Sequence, residues 1–219
     1  LILIINSPNN PSGTVCRNLK ELAKITKKYK IMVLSDEIYT DLTFSSKYNS
    51  ISKFYPELTF ITGGLSKWCG AGGWRLGFLA VPKKLTEFLK SLKSLASESY
   101  STVNTPTQYA LAEYLKNENN FLSLPNFYQE KRDVFCDLLE ESRFNIIPAG
   151  GTYFQLLDYS EITDMKDTEF AIQLTEDNKI ASIPVSVFYN SPPDSKVLRF
   201  CFAKEEKTLK AAAEILCQV

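Results

Sequence analysis

The sequence predicts an α/β fold built on a parallel sheet, followed by a smaller α+β domain. Three observations predict it. Short apolar runs alternate with stretches of helical periodicity through the first 124 residues, which is the pattern of β-loop-α-β units. Clusters rich in Asn, Pro and Gly follow the carboxyl ends of those runs, as at residues 6–13 and 63–74. Beyond Phe144 the pattern changes to short strands and turns closed by one helix.

Residues 1–5 form an isoleucine-rich run of the kind buried on both faces of a parallel sheet. Residues 18–30 carry Leu19, Leu22, Ala23 and Ile25 at helical spacing, and residues 31–35 read as the next strand. Such a unit implies a right-handed parallel crossover. Residues 58–62 and 76–81 are further strand candidates, separated by the glycine-rich segment 63–74. Ligands in open α/β sheets collect at strand carboxyl ends, so the loops after Ile5, Ser35 and Thr62 are expected to converge on a site. Residues 83–97 and 105–116 read as helices, and a longer amphipathic helix is expected over 127–143, where Val134, Phe135, Leu138 and Leu139 recur at helical spacing. Strands over 145–147, 151–157 and 197–202 and a helix over 205–217 complete the chain. The expected domains are residues 1–124 and 125–219, with no internal repeat and no low-complexity linker between them.

Composition narrows the functional classes. With 219 residues, 44% of them hydrophobic, the chain can bury a core. Lys plus Arg and Asp plus Glu each total 25 and are interspersed, which gives no footprint for nucleic acid and no basic membrane face. Small molecules or a second copy of the chain are the expected partners. No apolar run reaches bilayer length and the start does not have the form of a signal peptide, so a cytoplasmic location is expected. Five widely spaced cysteines without a C-x-x-C pair suit buried or free thiols better than a disulfide framework or a zinc site. The chain has no histidine, which excludes Ser-His-Asp and Cys-His devices and the usual imidazole metal ligands, so no metal is expected. It opens inside a strand-like run without Met, as expected of the C-terminal part of a longer polypeptide.

Four segments carry the chemistry. They are Asn6-Ser7-Pro8-Asn9-Asn10-Pro11-Ser12-Gly13, Asp36-Glu37-Ile38-Tyr39, Ser66-Lys67 with Trp74-Arg75-Leu76-Gly77, and Leu198-Arg199-Phe200. In this order and spacing they resemble the Asn-Pro-Thr/Ser-Gly loop, the Asp-x-x-Tyr element, the Ser-x-x-Lys to Arg-x-Gly segment and the late arginine of the fold-type I, class I/II aminotransferases, which depend on pyridoxal 5′-phosphate (PLP). The resemblance spans essentially the whole chain. It implies the C-terminal part of the PLP-transferase large domain, a mostly parallel sheet with helices on both faces, plus a small C-terminal domain.

The roles that the resemblance implies each have a physical reason. Lys67 would hold PLP covalently and move the proton at the substrate's Cα; both roles need a neutral amine, which desolvation and nearby positive charge favour. A lone lysine is ordinarily a surface residue, and the surrounding Gly63-Gly64-Leu65-Ser66 and Arg75 are what set Lys67 apart. Asp36 would pair with the pyridine nitrogen, which must stay protonated for PLP to act as an electron sink. Tyr39 and Asn10 would contact the phenolic O3′. Taken alone, Asp36-Glu37 is equally a solvated acidic turn. Ser66 and Arg75 would grip the cofactor phosphate, a guanidinium fork suiting a dianion, although the position where many relatives place a phosphate-binding serine holds Gly64 here. Arg199, with Asn10, would bind the substrate α-carboxylate; the plain alternative is a strand arginine facing solvent.

Residues 150–154 and 183–189 are similar to segments of the methionine and kynurenine aminotransferase branch. An aromatic wall there favours apolar or aromatic L-amino acids over dicarboxylic ones, while core packing accounts nearly as well for Tyr153, Phe154, Phe188 and Tyr189. The resemblance also implies a homodimer, with residues 100–104 contributing across the interface, and family elements that lie upstream of residue 1. Two other functions remain open at this level. One is a PLP-dependent cysteine-conjugate β-lyase, which begins with the same proton removal. The other is a non-catalytic binding protein on the same fold.

Overall fold

The computed structural model describes residues 1–44 and 48–219. Contacts divide them into two compact units, Leu1–Pro8 with Val15–Pro125 and Asn9–Thr14 with Asn126–Val219.

In the first unit, β1 (Ile2–Asn6), α1 (Leu19–Lys28) and β2 (Met32–Asp36) form the expected β-α-β unit. They are followed by β3 (Thr59–Gly64), β4 (Gly77–Ala80), α2 (Thr86–Tyr100) and α3 (Thr105–Tyr114). The sheet order is β1-β2-β3-β4, with β1, β2 and β3 parallel and β4 antiparallel to β3. That reversal follows from the connection: no crossover helix separates β3 from β4, and without one a strand returns antiparallel.

Helix α1 buries Leu19, Ala23 and Thr26, one stripe along its length, against Ile5, Val33, Ile51 and Tyr55. The Thr26 hydroxyl is satisfied by the carbonyls of Leu22 and Ala23. On the opposite sheet face Phe88 of α2 meets Phe60 of β3 edge-on, ring centroids 5.4 Å apart. Helices thus lie on both faces. The expectation that residues 1–5 are buried on both faces does not hold: Ile2 and Ile4 are 58% and 67% exposed. Their side chains alternate away from α1, and β1 is an edge strand.

In the second unit, α4 (Leu124–Asp137), whose first two residues are counted with the first unit, precedes β5 (Asn145–Ile147), β6 (Phe154–Asp158), α5 (Asp167–Asn178), β7 (Ile183–Pro184), β8 (Val197–Cys201) and α6 (Glu206–Leu216). The sheet is antiparallel, in the order β5-β6-β8-β7. Its core includes Leu139, Phe144, Leu157, Phe170, Leu174, Leu198 and Phe200. Gln155 is fully buried and donates to the carbonyls of Ile147 and Leu156, so the polar group is accommodated.

Two boundaries and one helix show where the structure departs most from the sequence pattern. Helix α4 stops at Asp137 because residues 138–142 tighten into turns, with Leu139 N bonding Cys136 O and Ser142 N bonding Leu139 O. Strand β6 starts only at Phe154, since Thr152 adopts φ 72. Helix α5 was not anticipated; its sequence is largely polar and its buried face rests on Phe170, Ala171 and Leu174.

Asn9–Thr14 packs with the second unit through Gly13. The Gly13 carbonyl accepts from the N–H groups of Gly150 and Gly151, and at its φ of +69° a Cβ would lie 2.8 Å from Ala149 Cβ. Among the described residues no helix is long and apolar enough to cross a membrane.

Leu198, 0% exposed in β8, tests the second core. Leu198→Ala is expected to lower unfolding stability by about 2–5 kcal/mol. Urea denaturation measures it, and a loss below about 1 kcal/mol would contradict the packing described.

Candidate active site

Strand register assembles the first cluster. Asn6, Asp36 and Thr62 are paired across β1, β2 and β3, so their side chains stand in one row on one face. Asn6 Nδ2 donates to Asp36 Oδ2 at 3.1 Å and Thr62 Oγ1 donates to Oδ1 at 3.2 Å. Each carboxylate oxygen therefore has a donor from a different strand. Glu37 does a separate job: its Oε1 accepts from Ser35 Oγ at 2.9 Å and Ser50 Oγ at 2.5 Å. Burial, with the Glu37 carboxylate next in effect, raises the nearby Tyr48 phenol above its ordinary range. The two adjacent acids are hydrogen-bonded and half-buried, not a solvated turn.

Tyr39 is 2% exposed, and Lys67 Nζ stands 5.8 Å from the centroid of its ring, within cation–π range. Ser66 and Lys67 lie in the turn after β3, which winds around buried Leu65: the Leu65 carbonyl accepts from Cys69 N and Ala71 N. Arg75 is exposed and left-handed at φ 52, and its Nη1 donates to Gly72 O at 2.9 Å within the same loop.

Gly64 has a steric reason. A Cβ there would lie 3.0 Å from Leu76 O and 3.1 Å from Gly77 Cα, backbone atoms just before and at the start of β4. A side chain at this position requires the facing backbone to give by a few tenths of an ångström. Gly64→Ser is expected to destabilise the protein by about 1–3 kcal/mol. A thermal midpoint equal to the parent's would show that the strands yield freely.

The second cluster lies in the other unit. Arg199 of β8 donates through Nη1 to Asn10 Oδ1. Its guanidinium carbon is 4.0 Å from the Phe154 ring centroid and 5.5 Å from that of Phe188, so two aromatic rings flank the cation. The turn that presents Phe188 is tied to α5: buried Asp167 accepts from Ser186 N at 2.7 Å and Ser186 Oγ at 2.6 Å. Arg199 is half-buried, and the solvent-facing alternative is not what the structure shows.

The first unit thus carries Asp36, Tyr39, Ser66, Lys67 and Arg75, and the second carries Asn10 and Arg199. Sequence reasoning missed Asn6, Thr62, Asp167 and Ser186. Asn6 heads the first of the four segments, but that it and Thr62 bond Asp36 follows only from the register. The donor set of the first unit fits PLP: an amine on a glycine-rich loop, a buried phenol and a carboxylate with both oxygens anchored. Open space at Gly70 and Gly73, where a Cβ would meet nothing within 4 Å, leaves the loop uncrowded.

Comparison with known proteins gives the chain a family. Residues 1–216 match the family described as aminotransferase class I and II. The chain is 38% identical to a methionine aminotransferase of Escherichia coli, covering all of this chain and 57% of that protein. It is 35% identical to kynurenine–oxoglutarate transaminase 3 of Homo sapiens, covering 98% of this chain and 52% of that one. Among solved structures, an Escherichia coli protein described as having a methionine aminotransferase function superposes with a TM-score of 0.92 at 37% identity, over 100% of this chain and 58% of that one. Aspartate aminotransferase of Thermus thermophilus with maleate superposes at 0.88 and 28% identity, over 99% and 56%. The chain spans little more than half the length of these relatives.

Proposed function

The chain belongs to the aminotransferase class I and II family, and from that premise we propose that the polypeptide carrying it is a PLP-dependent aminotransferase. It moves the amino group of an apolar or aromatic L-amino acid, of the methionine or kynurenine type, to a 2-oxo acid. The observation that carries this reading is the Asp36 carboxylate anchored in the Asn6–Asp36–Thr62 row, in the unit where the Lys67 amine also stands 5.8 Å from the Tyr39 ring centroid.

Bound here, PLP supplies the electron sink that lets a proton leave an amino acid's Cα. Lys67 Nζ would hold the cofactor and, as a neutral amine, would carry that proton. Asp36 would pair with the pyridine nitrogen and keep it protonated, and Tyr39 would hydrogen-bond the phenolic oxygen. Ser66 and Arg75 would hold the phosphate, Arg75 lying in the same loop, where its Nη1 donates to Gly72 O. Arg199 takes the α-carboxylate in a two-pronged hydrogen bond, its fork aligned by Asn10 and by the flanking rings of Phe154 and Phe188. Those rings, and the names of the methionine and kynurenine relatives, support the substrate class. An apolar wall disfavours a second carboxylate, which would be desolvated without a cation of its own. The same reading makes the enzyme a cytoplasmic homodimer.

Borohydride reduction of the intact polypeptide loaded with PLP, followed by peptide mapping, tests the reading. A reduced adduct on Lys67 is expected, together with conversion of methionine and a 2-oxo acid to the exchanged pair. Absence of the adduct would overturn the proposal, and release of ammonia without use of the 2-oxo acid would replace transamination with β-elimination.

A further inference from the structure

We propose that Thr62 is a positioning residue for this reaction, its hydroxyl fixing the orientation of the Asp36 carboxylate; the inference rests on the PLP reading above. An aspartate carboxylate turns readily about its last torsion, where the energy profile is broad and nearly two-fold. Here that rotation is opposed on both oxygens, by Asn6 Nδ2 at 3.1 Å on Oδ2 and by Thr62 Oγ1 at 3.2 Å on Oδ1. The two donors come from strands on opposite sides of β2, so turning the carboxylate breaks both hydrogen bonds at once.

Thr62 also holds the backbone beside the acid. Its carbonyl accepts from Glu37 N at 2.9 Å, immediately after Asp36. One residue therefore sets both where the chain carries Asp36 and how the carboxylate is turned. Its β-branched side chain has few rotamers, which keeps the hydroxyl aimed at little entropic cost. The plain alternative is that Thr62 is there for strand propensity and packing alone. Valine separates the two, because it matches threonine in shape and strand preference and lacks only the hydroxyl.

The test compares Thr62→Val and Thr62→Ser with the parent in the intact polypeptide. The readouts are PLP affinity by spectral titration, the pH dependence of the bound cofactor's visible absorption, and the unfolding midpoint of the cofactor-free protein. For Val the expected result is PLP affinity weakened about tenfold, the equivalent of one hydrogen bond to a charged group, with a displaced pH profile and a midpoint close to the parent's. For Ser, which restores the hydroxyl, affinity and pH profile are expected to return most of the way.

Parent-like PLP affinity and pH profile in Val would overturn the inference while leaving the PLP reading intact. So would equal losses in Val and Ser, since packing would then be the cause. A parent protein that itself takes up no PLP on Lys67 would instead overturn the PLP reading, and the inference with it. Should Val fail to fold, Thr62→Ala removes the hydroxyl without added bulk and is read in the same way.

Discussion

Replacing Lys67 by Ala in the intact polypeptide is expected to lower kcat for transamination by about 10⁶-fold, the scale seen when a covalent catalytic group is removed. The substitution removes two functions together, the covalent hold on PLP and the base that moves the Cα proton, so no neighbour supplies a partial substitute. Tyr39 lies beside the amine, yet a buried phenol is a poor base near neutral pH. The fold is expected to survive, because Lys67 is half-buried in a turn whose shape comes from buried Leu65 and the hydrogen bonds to its carbonyl. Single-turnover assays with added amines check the cause as well as the size. Partial recovery by a small primary amine indicates a missing base, and a kcat within tenfold of the parent would remove Lys67 from the mechanism.

Arg199→Ala is expected to lower kcat/KM for α-amino acids by about 10²–10³-fold, the range for losing one partner of a buried, hydrogen-bonded charge pair. Arg199→Lys keeps the charge and loses the planar fork, so it recovers only part of the rate. The decisive control is an amine without an α-carboxylate. Its rate should change little in either variant, because Arg199 recognises a group that such an amine lacks. Equal losses for both substrate types would mean that the arginine supports the fold, through Asn10, Phe154 and Phe188, and does not recognise the carboxylate.

Much of the fold was legible from local pattern. The β-α-β unit follows from an apolar run, the helical spacing of Leu19, Leu22, Ala23 and Ile25, and a second apolar run, all short-range signals, although Ile25 itself is 53% exposed and Thr26 takes a place on the buried face. Helix α5 was illegible for the same reason: its buried side is narrow and its flanks are polar, so it forms where a hydrophobic face awaits Phe170 and Leu174. The exposure of Ile2 and Ile4 was likewise hidden, because an apolar run does not say whether a neighbour covers its second face.

By itself the sequence determined which chemical groups this protein has at hand: an amine, a phenol, two arginines and an acid in a recurring order, with no histidine among them. Side-chain chemistry is written residue by residue, and that part needs no folding to read. Only the tertiary structure decided how those groups are held. Strand register put Asn6 and Thr62 on Asp36, close backbone approach crowded the position of Gly64, and the bonds of Gly13 drew Asn10 to Arg199. Each of these joins residues at least a dozen positions apart, and in Arg199's case 189, where local sequence carries no information about distance.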